Sequence, residues 1–373
     1  MRDFQSAFRV ATFRPDEQQK IENVTKARGD FTIITSAYTR LELLAQAMVS
    51  RNKAYAQAGD RRRDMGLKLI VHGKDYDKFI ESQSRAMSKL ALFKPIIGSA
   101  SPFSPLSFSL QFVFTLAKPY LSQDDAPFYI IENPVRKDKV FKVPMVAPSS
   151  WKGKLRWVAT NFLVDQADAL SDEEFAQRRL QLTLLFGDEK GEEPGRVKGL
   201  AEYLDKIKPS AKELYRQKVK EHFGVDLDKP LPHHAGHLHL YPTFFDRIDL
   251  EVINPHDRRT KAGTLPIYLE SVPIGAKGTF TLIYIPFDLI GRSGDHRTEI
   301  ANDLKIVAEA IQAMMLTYGF GAKTTSGFGV AEDALVETGK LMVEGKSYRF
   351  KSLSQLTVIT QQAASDLRQG GAR

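Results

Sequence analysis

The clearest pattern in the chain is an alternation. In FSLQFVFTL, residues 108–116, the apolar residues Phe108, Leu110, Phe112, Phe114 and Leu116 recur at every second position, the period of a strand with one buried face. A different period precedes it. RLELLAQAMVSRNKAYAQAG, residues 40–59, spaces Leu41, Leu44, Ala47 and Met48 by three and four and ends on Gly59, which predicts an amphipathic helix stopped by glycine. Between them SASPFSPLS, residues 99–107, gathers Ser and Pro, and a domain boundary is expected near residue 100.

Beyond the strand an irregular connection runs to residue 148, after which Ser149 or Ser150 is placed to cap a helix over SSWKGKLRWVATNFL. Residues 165–232 are rich in charge and helix formers and read as a helical insertion. Strand character returns over 237–253 and 263–291. Ile300, Leu304, Val307, Ile311 and Met314 or Met315 then share one face of a long helix ending at Gly319, and VAEDALVE follows as a last strand. QQAASDLRQGGAR reads as loosely ordered. With the insertion set aside, the order is strand, helix, strands, helix, strand. That is the order of an α+β, ferredoxin-like fold with two helices over one face of an antiparallel sheet. The expected organisation is a mostly helical region 1–100, a core 101–340 carrying the insertion at 165–232, and a tail 341–373.

Composition narrows the function classes. The chain has no Cys, which removes disulfides, thiolate catalysis and Cys-ligated zinc and fits a reducing compartment. No apolar run reaches the roughly 18 residues of a membrane helix, and MRDFQSAFRVATFRPDEQQK lacks the apolar core of a signal peptide. A cytoplasmic location with no membrane partner is expected. Net charge is +8, and residues 1–100 hold 18 Lys and Arg against 11 Asp and Glu, so most of the surplus sits in the first quarter. A concentrated basic region favours a polyanion, because each phosphate neutralised releases a counterion; a solvated basic surface is the alternative.

Candidate chemistry lies in four stretches. In GFGAKTTSGFG, residues 319–329, AKTT resembles part of a nucleotide-binding loop, but Ala322 stands where that loop needs Gly and the helix comes before rather than after. The glycines with Lys323, Thr324, Thr325 and Ser326 suit a phosphate approaching the backbone, or a tight turn. SSWKGKLR offers Ser149, Ser150, Lys152, Lys154 and Arg156 at a helix start, where an anion is favoured; ordinary surface cations are the alternative. His233, His234, His237 and His239 lack a completing ligand and read as polar loop residues, as does His256. Asp124, Asp125, Glu132 and Asp138 are the acids of the connection, able to orient a ribose hydroxyl or recruit a divalent ion, or simply solvated.

Taken in order, IENPVRKD, then VPMVAPSSWKGKLR, then the distant GFGAKTTSGFG resemble the RAMP proteins, the repeat-associated family that forms the RNA-binding backbone of CRISPR effector complexes, and within it the type III backbone subunits. The resemblance spans about residues 105–340. It implies a modified ferredoxin-like, RRM-like palm holding CRISPR guide RNA, with target RNA and other effector subunits as partners. On the matching positions it assigns guide contacts to Ser149, Ser150, Lys152, Lys154 and Arg156, and to Gly321, Lys323, Thr324, Thr325, Ser326 and Gly327. An inserting loop would come from 119–148 or 254–278. RNA-cutting relatives carry an Asp where this chain has Glu132, with Asp124 and Asp125 nearby. Two readings follow: a backbone or capping subunit for RNA-guided antiviral defence, or a metal-dependent endoribonuclease subunit. No resident cofactor or metal site is expected, and Mg2+ or Mn2+ would be needed only for cutting.

Overall fold

The computed structural model describes residues 4–60, 62–93, 106–124, 128–189, 198–226, 228–254, 259 and 267–369. Helices α1 (Phe4–Ala7), α2 (Glu17–Thr25), α3 (Ala37–Leu44), α4 (Lys53–Gln57), α5 (Gly66–His72) and α6 (Asp75–Lys89) form the N-terminal region. The strands β1 (Phe108–Thr115) and β2 (Met145–Val146) lead to α7 (Pro148–Asp165), then to α8 (Asp172–Phe186), α9 (Gly199–Ile207) and α10 (Lys212–Phe223). Strands β3 (Leu238–Leu240), β4 (Thr243–Phe244), β5 (Asp249–Ile253), β6 (Ile267–Ser271) and β7 (Lys277–Tyr284) precede α11 (Arg297–Ala313). The chain closes with β8 (Ala334–Val343), β9 (Lys346–Ser352) and α12 (Leu356–Gln369).

The main sheet has the order β3-β7-β1-β8-β9, with every pairing antiparallel. Its central strand is the one that the alternation predicted. Phe108, Leu110, Phe112 and Phe114 are buried, whereas Gln111, Val113 and Thr115 are partly exposed. The register runs from Phe108 opposite Tyr284 to Thr115 opposite Lys277, and Phe112 stacks on Phe280 with ring centroids 5.1 Å apart. Such cross-strand aromatic pairs favour one register, because a one-residue slip would turn every Phe to the other face.

Helix α7 docks on this sheet through Trp151. The indole is fully buried, meets the edges of Phe114 and Phe280, and donates from Nε1 to Thr243 Oγ1 at 3.0 Å. Leu155, Val158, Ala159 and Leu163 continue the buried face, so the remaining faces of α7 are fixed in direction. Truncating a buried Trp of this kind costs on the order of 3–5 kcal/mol.

Three expectations change. Residues 40–59 do not form one helix: α3 ends at Leu44, a 3-10 turn covers Ala45–Val49, and α4 restarts at Lys53. The Ser50 hydroxyl accepts from the Asn52 amide at 3.1 Å, a local bond that competes with helix continuation. The last strand is longer than VAEDALVE and turns back at Glu344 and Gly345, both at positive φ (45° and 77°), into β9; this is the two-residue hairpin geometry that matches strand twist. Residues 341–369 are therefore not a tail. Helix α12 packs on α11, burying Leu356, Thr360, Ala363, Ala364 and Leu367. The N-terminal helices bury their own cluster, including Ile21, Val24, Leu41, Leu67 and Ile70, and touch the sheet-bearing part where Gln57 donates to the Ile130 carbonyl at 2.8 Å. No described helix is long and apolar enough to cross a membrane.

Candidate nucleic-acid interface

A surface groove of about 770 Å³ collects residues from three distant stretches. Helix α7 supplies Ser149, Ser150, Gly153, Lys154 and Trp157. The segment after α11 supplies Thr317, Tyr318, Gly321, Ala322, Thr324 and Thr325. Tyr120, Ser122, Gln123 and Arg136 come from the connection. Among its described lining residues there is no carboxylate.

The α7 contribution follows from helical geometry. At about 100° per residue, positions 150, 153, 154 and 157 form one stripe, turned away from the face anchored by Trp151 and Leu155. The helix starts differently from the expectation, because Pro148 occupies its first turn and Ala147 is the N-cap, with no side-chain cap bond. A proline at the first helical position has no amide to satisfy and already has helical φ. Ser149 and Ser150 therefore lie inside the first turn, exposed, with hydroxyls not committed to capping. Gly153 is exposed, and a Cβ there would meet no heavy atom within 4 Å. Glycine inside a helix costs roughly 0.5–1 kcal/mol relative to alanine. Nothing in the packing requires it; what it provides is a low stretch of helix surface that a ligand can approach closely.

The Gly-rich loop faces α7 across the groove and is tied to the connection by its backbone. Ala322 donates to the Leu121 carbonyl at 2.7 Å and Gly329 to that of Pro119 at 2.8 Å. Gly321 has φ +88°, and a Cβ there would lie 2.3 Å from the Leu121 oxygen; one on Gly329 would lie 1.9 Å from the Phe320 oxygen. These two glycines are required by close approach. Between them Thr324–Ser326 form a 3-10 turn, and Lys323, Thr325, Ser326 and Gly327 are exposed.

The cations of SSWKGKLR divide. Lys154 lines the groove, its Nζ lying 4.1 Å from the Trp157 ring centroid, and burial lowers its pKa. Arg156 instead donates to the carbonyls of Phe186, Gly187 (3.3 Å) and Asp188 (3.1 Å), at the C-terminus of α8. A guanidinium there satisfies carbonyls that have no helical partner and faces the negative end of the helix dipole. Lys152 donates to the Ala235 carbonyl at 2.8 Å; burial, and then repulsion from Arg156, push its ammonium down to about 8. Neither Lys152 nor Arg156 lines the groove.

The acids also lie elsewhere. Glu132 is exposed on the surface, 3.4 Å from Lys53 Nζ, and is not a groove residue. Asp124 accepts from the Lys137 amide at 3.4 Å, and Asp138 closes a turn by accepting from the amides of Val140 and Phe141 at 2.9 and 2.7 Å. Asp125 and His256 lie outside the described residues. The carboxylate that organises IENPVRKD is one the sequence reading missed: Glu270 of β6, wholly buried, accepts from Tyr129 Oη at 2.6 Å, the Val135 amide at 3.1 Å and Lys137 Nζ. A lone Glu in the apolar run IYLESV was its only signal. His237 lies in the bend before β3 as a loop residue but is buried, and with His222 it donates to Asp288, whereas His239 belongs to β3 itself. Burial alone would raise the Asp288 pKa, but these two hydrogen bonds outweigh it and hold the carboxyl well below its usual range. Among the described residues, no group of three His, Cys, Asp or Glu is arranged to hold a metal ion.

The RAMP superfamily model matches residues 96–332. No curated protein matches the sequence. Similar solved structures include a chain of the type III-B Cmr-beta complex bound to cognate target RNA, 12% identical, covering 87% of this chain and 99% of that one, with a TM-score of 0.38. Another belongs to the Csm3-Csm4 subcomplex of the type III-A CRISPR-Cas interference complex, 13% identical over 69% and 95% of the two chains, TM-score 0.31. Cmr6 from Pyrococcus furiosus is 15% identical over 61% and 99%, TM-score 0.28.

Proposed function

This chain belongs to the RAMP superfamily, and from that membership we propose that it is a guide-RNA-binding backbone or capping subunit of a type III-like CRISPR effector complex. We read β1, α7, β3, β7, α11 and β8 as the ferredoxin-like palm, the helical insertion lying between α7 and β3. The observation that carries the reading is the groove: two stretches more than 150 residues apart, SSWKGK and GAKTT, meet on its flanks with Arg136 beside them. Hydroxyls, cations and an accessible backbone without carboxylates suit a chain of phosphates. The cutting alternative would centre on Glu132, which lies outside this groove and beside Lys53.

The test is direct. RNA extracted from the purified protein should sequence as short repeat-derived guides, and the protein should bind single-stranded RNA with an affinity that falls as salt rises. Lys154→Ala should weaken binding about tenfold and reduce the log–log salt slope by about 0.7, the share of one phosphate contact on a single strand. Protein that carries no RNA and binds none at low salt would overturn the proposal.

A further inference from the structure

Of the three aromatic residues that line the groove, Tyr120 is buried, and the other two, Trp157 and Tyr318, are not required by a phosphate grip. Trp157, at the end of the α7 stripe, is 47% exposed. Trp151, six residues earlier on the same helix, is fully buried, so the exposure of Trp157 is a matter of position and not of a poorly packed helix. Tyr318 reaches the same place from the other flank. It is the last residue of a π-helical turn, Met314–Tyr318, where α11 gives way to Gly319, and single π turns of this kind are frequent at functional sites. The two rings meet edge to face, with centroids 5.3 Å apart and planes at 86°. Lys154 holds its ammonium 4.1 Å from the indole centroid, a cation–π contact on an exposed ring.

We propose that Trp157 and Tyr318 form a stacking station for one nucleobase of a single-stranded RNA lying in the groove. This rests on the RNA-binding reading above and adds to it a contact with a base. In the bound form Lys154 leaves the indole for a phosphate, and a base takes its place on the ring. The strand is thereby held by its backbone along Ser150, Lys154, Thr324 and Thr325 while one base is turned out onto the aromatic pair. Every base has a π face, so the station is tolerant of sequence. Single strands can splay a base in this way, whereas a duplex would have to break a pair first.

The chain has only two Trp, and with Trp151 buried, a change of indole emission on titration reports Trp157. Oligouridylate and an abasic oligoribonucleotide of the same length are titrated into the wild type, Trp157→Phe and Trp157→Ala, each freed of copurifying RNA. Oligouridylate should quench the wild-type emission, and Trp157→Ala should lose about five- to a hundredfold in affinity for it. Trp157→Phe, which keeps a ring, should recover most of that loss. Abasic RNA should bind wild type and Trp157→Ala equally, without quenching. Oligouridylate that binds Trp157→Ala as tightly as wild type, with no emission change, overturns the station and leaves the backbone grip standing. If neither RNA binds any of the three proteins, the grip and the station fall together.

Discussion

Helix α7 has two polar faces that look alike in composition and differ in what they touch. One carries Ser150, Gly153, Lys154 and Trp157 into the groove; the other carries Lys152 and Arg156 onto the backbone carbonyls of Ala235 and the end of α8. Both hold cations from the same eight residues. The difference shows that a positive charge next to the groove need not belong to it. Arg156 fits a helix end, where a planar fork of donors meets several carbonyls at once, whereas Lys154 lies over an exposed ring and is free to move to a ligand.

This contrast can be broken from either side. The largest effect is expected from Arg156→Ala, which strips charged donors from the α8 terminus and should lower folding stability by about 2–4 kcal/mol, read by urea denaturation. RNA affinity of the folded protein should stay within about twofold, within the experimental noise of a factor-level comparison. Intact stability with a collapse in RNA binding would move Arg156 into the groove. Gly153→Ala should act in opposite directions on the two properties: stability should rise by roughly 0.5–1 kcal/mol, while RNA affinity falls. A gain in both would mean that no ligand approaches this stretch of helix.

The smallest effect concerns Lys152. Its ammonium titrates near 8 in the folded protein, against a usual value of 10.5, so between those pH values the unfolded chain binds more protons. Stability should therefore rise across that window in the wild type relative to Lys152→Met, because the penalty of burying the charge is present below pH 8 and is relieved above it. RNA binding should not distinguish the two proteins. Parallel stability curves for wild type and variant would show that the ammonium is not held where the Ala235 carbonyl places it.

The sequence disclosed the strands and helices whose burial is carried by large apolar residues. The alternation from Phe108 to Leu116 found the central strand, and the spacing of Ile300, Leu304, Val307 and Ile311 found α11. It failed for α12, whose buried face is built from Ala363, Ala364 and Thr360 between Leu356 and Leu367, residues too small or polar to stand out against Gln and Ser. The β8–β9 hairpin had a readable signal in Glu344–Gly345 between alternating runs, but that signal lay past the point where the strand was thought to stop. At the site, the segments were legible and the sorting within them was not. The helical period alone puts positions 152 and 156 on a different side from 150, 153, 154 and 157, yet only the partners at Ala235 and α8 say which side is tied to backbone carbonyls and which lines the groove. Tyr318 and Arg136 enter the groove through long-range packing that no local pattern carries.

The backbone ties at Gly321 and Gly329 divide the Gly-rich loop into a frame and an insert. The frame tolerates no side chain, since any Cβ would strike the Leu121 or Phe320 carbonyl, so its sequence is fixed by geometry whatever the loop binds. Lys323 and Gly327, at φ 55° and 84°, set the turn; the insert between them, from Thr324 to Ser326, is exposed for most of its length and contributes little to holding the chain together. Changes of charge or size there can alter what the groove accepts without altering how the protein folds, leaving ligand preference and stability to vary as separate traits.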